Sequence, residues 1–83
     1  MTADVTTRIA RVLASAFEVA PRDITDATSP DTVEGWDSLT HIHLIAALEA
    51  EFGVSFSTDQ ALAMTSVGAI RTALAELGVP GAR

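Results

Sequence analysis

Gly35-Trp36-Asp37-Ser38-Leu39, running on through Thr40-His41-Ile42-His43-Leu44-Ile45-Ala46-Ala47-Leu48-Glu49-Ala50-Glu51-Phe52 to Gly53, decides the fold. An aspartate competent to cap, then a long run without glycine or proline, predicts a helix that begins at Asp37 or Ser38 and stops at Gly53, a natural left-handed terminator. Trp36 just outside the helix and His41 at its fourth position occupy the two places of a hydrophobic staple. On a helical wheel His41, Leu44, Ile45, Leu48 and Phe52 fall within about a third of the circumference, the width of a core-facing stripe. Leu39, Ile42, Ala46 and Ala50 form a second stripe roughly perpendicular to the first, with Ser38 at the boundary and Glu49 and His43 at the edges. An exposed apolar strip of this kind suits a helix that docks in a partner's groove. The alternative for Leu39 and Ile42 is peripheral core beneath the preceding loop.

Working outward, the apolar period is helical nearly throughout. Val5, Ile9, Val12, Leu13 and Ala16 predict a first helix from Asp4 or Thr2 to about Glu18, stopping before Pro21. Residues 20–36 hold Pro21, Thr25, Thr28, Ser29, Pro30, Gly35 and several aspartates, a long loop that Ile24 and Val33 should pin to the core. Ser57 and Gln60 have capping-box spacing, which predicts a short third helix through Met64. A fourth helix from Thr65 or Ser66 is expected to bury Val67, Ile70, Leu74 and Leu77 and to end at Gly78, with residues 81–83 loose. The expected fold is all-α: one domain over 1–83, with about 3–79 ordered, forming a small four-helix bundle of three longer helices and one short, with a long loop between helices one and two.

At 83 residues the chain is too small to wrap a deep catalytic cleft, so a partner of enzymes is expected rather than an enzyme. It has no cysteine, hence no disulfide framework and no thiolate metal site, and a reducing, cytoplasmic setting is the expectation. The net charge of −6 is concentrated between Glu18 and Asp59, where only Arg22 opposes nine carboxylates. Such a field repels phosphate backbones and anionic membranes and steers association with basic patches on proteins, so neither nucleic acid nor membrane is an expected partner. No apolar run reaches membrane-spanning length.

Ser38 is the candidate functional atom. The first turn of a helix leaves backbone N–H groups without partners and carries partial positive charge, so a phosphate ester there is stabilised by roughly 0.3 to 1 kcal/mol per charge. Helix chemistry alone leaves a plain N-cap role for Ser38 equally open. Asp37, Ser38 and His41 invite a hydrolase reading, but there is no G-x-S-x-G elbow, and His41 on the core stripe reads as a satisfied structural histidine. A calcium loop from Asp23 to Glu34 has acidic first, ninth and twelfth positions but Thr28 at the sixth, where glycine is needed. His41 and His43 face different ways, so no metal site is expected. Trp36 is read as a loop anchor. An interaction module that docks through its helices and carries nothing is the main competitor.

The stretch Gly35-Trp36-Asp37-Ser38-Leu39, followed by Ile42, Leu44, Ile45, Leu48, Glu49 and Phe52-Gly53-Val54, resembles the attachment-site region of acyl carrier proteins and the related peptidyl carrier domains. The resemblance implies that Ser38 is esterified with 4′-phosphopantetheine from coenzyme A by a phosphopantetheinyl transferase. It further implies that the arm's thiol presents a thioester-bound acyl group to acyl-loading, ketosynthase, condensation or acyltransferase enzymes. Asp37 is then a recognition and capping residue, and Leu39, Ile42, His43, Ala46 and Glu49 are partner contacts on a monomeric protein. Glu34 precedes Gly35 where fatty-acid carriers usually have leucine, and His43 and Ala50 stand in places that are often acidic. Those departures favour a discrete carrier of a polyketide, nonribosomal peptide or related specialised pathway over a housekeeping fatty-acid carrier.

Overall fold

The computed structural model describes residues 4–33 and 35–82. Among those residues four helices form in chain order: α1 Val5–Phe17, α2 Ser38–Phe52, α3 Thr58–Ala63 and α4 Val67–Glu76, with a 3-10 turn at Pro21–Asp23 in the loop between α1 and α2. No strand is present among the described residues, and the fold is a small helical bundle as the periodicity requires. The start at Thr2, Glu34 (the final position of the calcium-loop pattern and the departure that precedes Gly35) and Arg83 lie outside the described residues.

Each helix starts on a side chain that accepts a backbone N–H three residues on. Asp4 receives Thr7 N–H at 2.7 Å, Asp37 receives Thr40 N–H at 2.9 Å, and Ser57 and Ser66 receive Gln60 and Ala69 N–H at 3.1 Å each. The Ser57–Gln60 capping box is reciprocal, with Ser57 N–H donating to Gln60 Oε1 at 3.0 Å. Ile9, Leu13, Leu44, Leu48, Met64, Ile70 and Leu74 are sealed from solvent and interdigitate with Val67 and Trp36 to make the core. Arg8 joins α1 to α2 with a bidentate grip on Glu51, to its carboxylate at 2.8 Å and its backbone carbonyl at 2.7 Å, and lies over the Phe52 ring at 4.3 Å.

The long loop is built into the bundle. Ile24 and Val33 pack on the core, and Thr28 is buried with its hydroxyl accepting Thr25 N–H at 2.8 Å. Its carbonyls complete the start of α4: Val67 N–H donates to Thr28 O at 3.1 Å and Gly68 N–H to Asp26 O at 3.2 Å. With Ala69 N–H on Ser66 Oγ and Ile70 N–H on Ser66 O at 3.0 Å, all the N–H groups of that first turn are satisfied. Arg71 fastens the same junction, reaching Asp26 at 2.7 Å and Thr6 Oγ1 at 3.0 Å.

Two expectations about the end of the chain are corrected. Leu77 is 37% exposed instead of core, because α4 closes in a Schellman turn: Val79 N–H returns to Leu74 O and Gly78 N–H to Ala75 O, both at 3.0 Å. Gly78, at φ +80°, makes that turn, which carries Leu77 off the core face and brings Val79 onto it; Ala73 fills the remaining inward position. The tail is also not loose at 81–82, since Ala82 is buried and its N–H bonds Val79 O at 3.3 Å.

α1 and α2 close by the same left-handed turn, with Val19 N–H on Ala14 O at 3.1 Å and Val54 N–H on Glu49 O at 3.2 Å. In α2 the left-handed residue is Gly53; in α1 it is Glu18 at φ 56°, which bears the steric cost of a Cβ there. Glu18→Gly is expected to raise stability by up to about 1 kcal/mol, read as a higher urea midpoint at unchanged slope. An unchanged or lower midpoint would show the left-handed strain to be negligible.

Candidate functional site

Asp37 has taken the N-cap of α2, with extended backbone (φ −99°, ψ −177°) and its carboxylate on Thr40 N–H. The Thr40 backbone N–H, followed by the Thr40 side chain, holds the Asp37 carboxyl below its ordinary value. Ser38 therefore stands at the first helical position, relieved of capping. Its side chain is exposed and its hydroxyl makes no hydrogen bond among the described residues.

Behind the serine the chain is anchored by Trp36, 7% exposed and packed on Phe17 at a ring separation of 5.1 Å. Its indole N–H donates to His41 Nδ1 at 3.0 Å, and His41 Nε2 lies 2.7 Å from Ala61 O. An indole nitrogen can only donate, so Nδ1 is the accepting nitrogen and Nε2 carries the proton toward the carbonyl. Trp36 and His41 thus fill the staple positions with a polar link in place of an apolar contact. Both ring nitrogens are committed away from Ser38, and the geometry assembles no serine–histidine pair.

Between α2 and α3 lies an open, largely apolar notch of about 400 Å³. Ser38 and Asp37 sit at its rim, with Trp36, Ile42, Leu62 and Thr65 among its walls. A larger groove of about 710 Å³ runs between α1 and α2, past Arg11, Val12, Thr40 and His43, and Ser38 is not part of it. Proximity to the exposed Ser38 hydroxyl, rather than size, makes the smaller one the candidate site.

Leu39 and Ile42 are each 64% exposed and Ala46 is exposed, so the second stripe of α2 is surface and not peripheral core. His43 is exposed but borders the α1–α2 groove, on the opposite flank from the serine notch. Glu49 differs more: it is half-buried, and its Oε2 accepts Phe56 N–H at 2.8 Å, so it shapes the α2–α3 connection instead of projecting from the strip. Leu62 on α3, 71% exposed, is the functional candidate that the helix wheel of α2 missed. The available signal was a leucine in Ala61-Leu62-Ala63-Met64, a helix too short to turn more than one face to the core when Met64 already claims it.

A family model described as a phosphopantetheine attachment site matches residues 7–74, a span that takes in α2, α3 and nearly all of α1 and α4. Proteins of that family carry a 4′-phosphopantetheine prosthetic group and are generally non-catalytic carriers served by phosphopantetheinyl transferases and pathway enzymes. The residues at the notch fit such a group: an exposed serine hydroxyl, uncommitted among the described residues, stands at a helix N-terminus beside an apolar recess. Among the described residues no helix is long and apolar enough to cross a membrane.

Two further exposed carboxyls share the direction of shift seen at Asp37: Asp4, lowered chiefly by Thr7 N–H, and Asp26, lowered chiefly by the Arg71 hydrogen bond. A group depressed in the folded state stabilises fully above its unfolded value, about 3.8 here, and that support is lost as pH falls through the folded value. Asp37→Asn keeps a capping side chain but cannot titrate, so its urea midpoint should fall less steeply than wild type below pH 3.8. Parallel acid limbs for the two proteins would refute the role of this carboxylate.

Proposed function

The chain belongs to the family of phosphopantetheine-bearing carriers, and on that premise we propose that Ser38 Oγ is the attachment point and that the protein carries acyl or peptidyl groups for other enzymes of a specialised biosynthetic pathway. The observation that carries the assignment is the division of labour at the head of α2, where Asp37 caps and Ser38 is left exposed. When bound, the arm supplies a terminal thiol that holds acyl groups as thioesters. The protein's own part is to hold the serine oxygen outward on a fixed helix end and to offer partners a recognisable surface. Asp37 is proposed as a capping and transferase-recognition residue, and Leu39, Ile42 and Ala46, joined by Leu62, as the contact surface.

Preference for a specialised pathway over housekeeping fatty-acid synthesis rests on the character of that surface. α2 presents Leu39, Ile42, Ala46 and Ala50 outward with His43 on one flank, and Glu49 is drawn in to Phe56 N–H. A partner therefore meets apolar contacts where a strongly acidic helix would offer carboxylates. The proposed unit is a single monomeric domain over 1–83, acting in the cytoplasm on protein partners: a transferase for loading the arm, then acyl-loading, ketosynthase, condensation or acyltransferase enzymes.

Incubation with coenzyme A, magnesium and a promiscuous phosphopantetheinyl transferase should add one phosphopantetheine to the intact mass, and Ser38→Ala should abolish the gain. A well-folded wild type that gains nothing would favour a docking module that carries no group. Ile42→Asp, placed on a largely exposed side chain, should leave the unfolding free energy within about 0.5 kcal/mol of wild type while reducing transfer to partner enzymes by about tenfold or more. A collapsed circular dichroism spectrum would reassign Ile42 to the core.

A further inference from the structure

α3 is the least self-sufficient element of the bundle. At six residues it is far below the length at which a helix is stable alone, and no residue within Thr58–Ala63 is buried. Its ends are held: Phe56 N–H sits on Glu49 before it, and Met64 is sealed in the core after it. Gln60 reaches Glu76 of α4 at 3.3 Å, on the exposed side. Between those ends, the side-chain bond that reaches its backbone from α2, among the described residues, is His41 Nε2 to Ala61 O at 2.7 Å. That carbonyl belongs to the last turn, where helix acceptors lack partners, and its other donor, Met64 N–H, is distant at 3.3 Å.

The direction of the bond is set from the loop. Trp36, wedged against Phe17, aims its N–H at His41 Nδ1 and leaves the imidazole proton on Nε2, the form able to donate to Ala61. Either nitrogen alone could be satisfied by water at this half-buried position; together they fix the ring's plane and tautomer. The next residue after Ala61 is Leu62, which lines the notch together with Ile42 and Ser38.

We infer that His41 is a positioning residue: the relay from Trp36 through His41 to Ala61 sets where Leu62 stands relative to Ser38, and thereby how tightly proteins that engage the notch bind. The recognition half of this inference rests on the carrier function proposed above, and the tautomer half rests on geometry alone. An apolar side chain could fill the same volume, but it would leave Ala61 O on its single long bond and α3 able to shift without disturbing the core.

The test separates the two arms of the relay. His41→Gln retains reach to the Ala61 carbonyl, His41→Asn retains only an acceptor for the indole, and His41→Leu retains neither. With coenzyme A and the transferase, His41→Leu and His41→Asn should raise KM for the carrier about tenfold with kcat within about twofold, and His41→Gln should restore most of the affinity. A role confined to stability would instead lower the unfolding midpoints of the variants and leave KM unmoved, which would overturn the inference. Nitrogen-15 NMR of the wild-type ring gives an independent readout that needs no variant to fold: a protonated Nε2 beside a hydrogen-bonded indole N–H is expected, and a protonated Nδ1 would overturn the relay. A wild type that the transferase does not modify overturns the carrier function; a modified wild type with unchanged KM in His41→Leu overturns the positioning role alone.

Discussion

Asp37 and Ser38 are neighbours with the same option, since either side chain is of the kind that caps a helix, and the backbone grants the position to Asp37. Its extended φ and ψ set the carboxylate over Thr40 N–H, and the helix proper then starts one residue later. A serine in the cap would have its oxygen occupied as an acceptor. One residue further on, it has no such duty and points to solvent at the positive end of a fifteen-residue helix. The role proposed for Ser38 depends on that one-residue offset.

What fixes the offset lies upstream. Trp36 is buried against Phe17 and hydrogen-bonded to His41, so the chain cannot slide along the helix axis without exposing a large aromatic and orphaning an indole N–H. Further back, the loop from Ala20 to Gly35 is held by Ile24 and Val33 on the core and by the backbone bonds from Val67 and Gly68. The segment that leads to Ser38 is thus also the cap of the last helix, which ties the proposed attachment site to the stability of the whole bundle.

Sequence reading reached the elements whose causes are local. The caps at Asp4, Asp37, Ser57 and Ser66 each rest on a side chain and an N–H three residues apart, a spacing visible in the residues themselves. So does the core stripe of α2, whose Leu44 and Leu48 are sealed. The exchange of Leu77 for Val79 escaped it because the terminal turn, not the helical period, decides which residue faces inward. His43 and Glu49 were placed at the right angles on the wheel, but angle alone does not say which neighbour stands at each flank: the α1 groove for one, the Phe56 N–H for the other. The loop carbonyls that cap α4 leave no trace in residue type, since any amino acid supplies a carbonyl. Leu62 was missed for a related reason, as its partners in the notch come from distant parts of the chain.

The two sides of the serine notch are held by different kinds of bond. On the loop side, Pro30 and Trp36 belong to a segment locked by buried aromatic packing and by main-chain bonds into α4, so displacing it would melt the first turn of another helix. On the α3 side, Leu62 rides a helix of six residues with no buried side chain of its own. The mouth is therefore supported unequally: one jaw is tied by packing and main-chain bonds into other helices, and the other is tied to α2, among the described residues, through the single His41–Ala61 hydrogen bond.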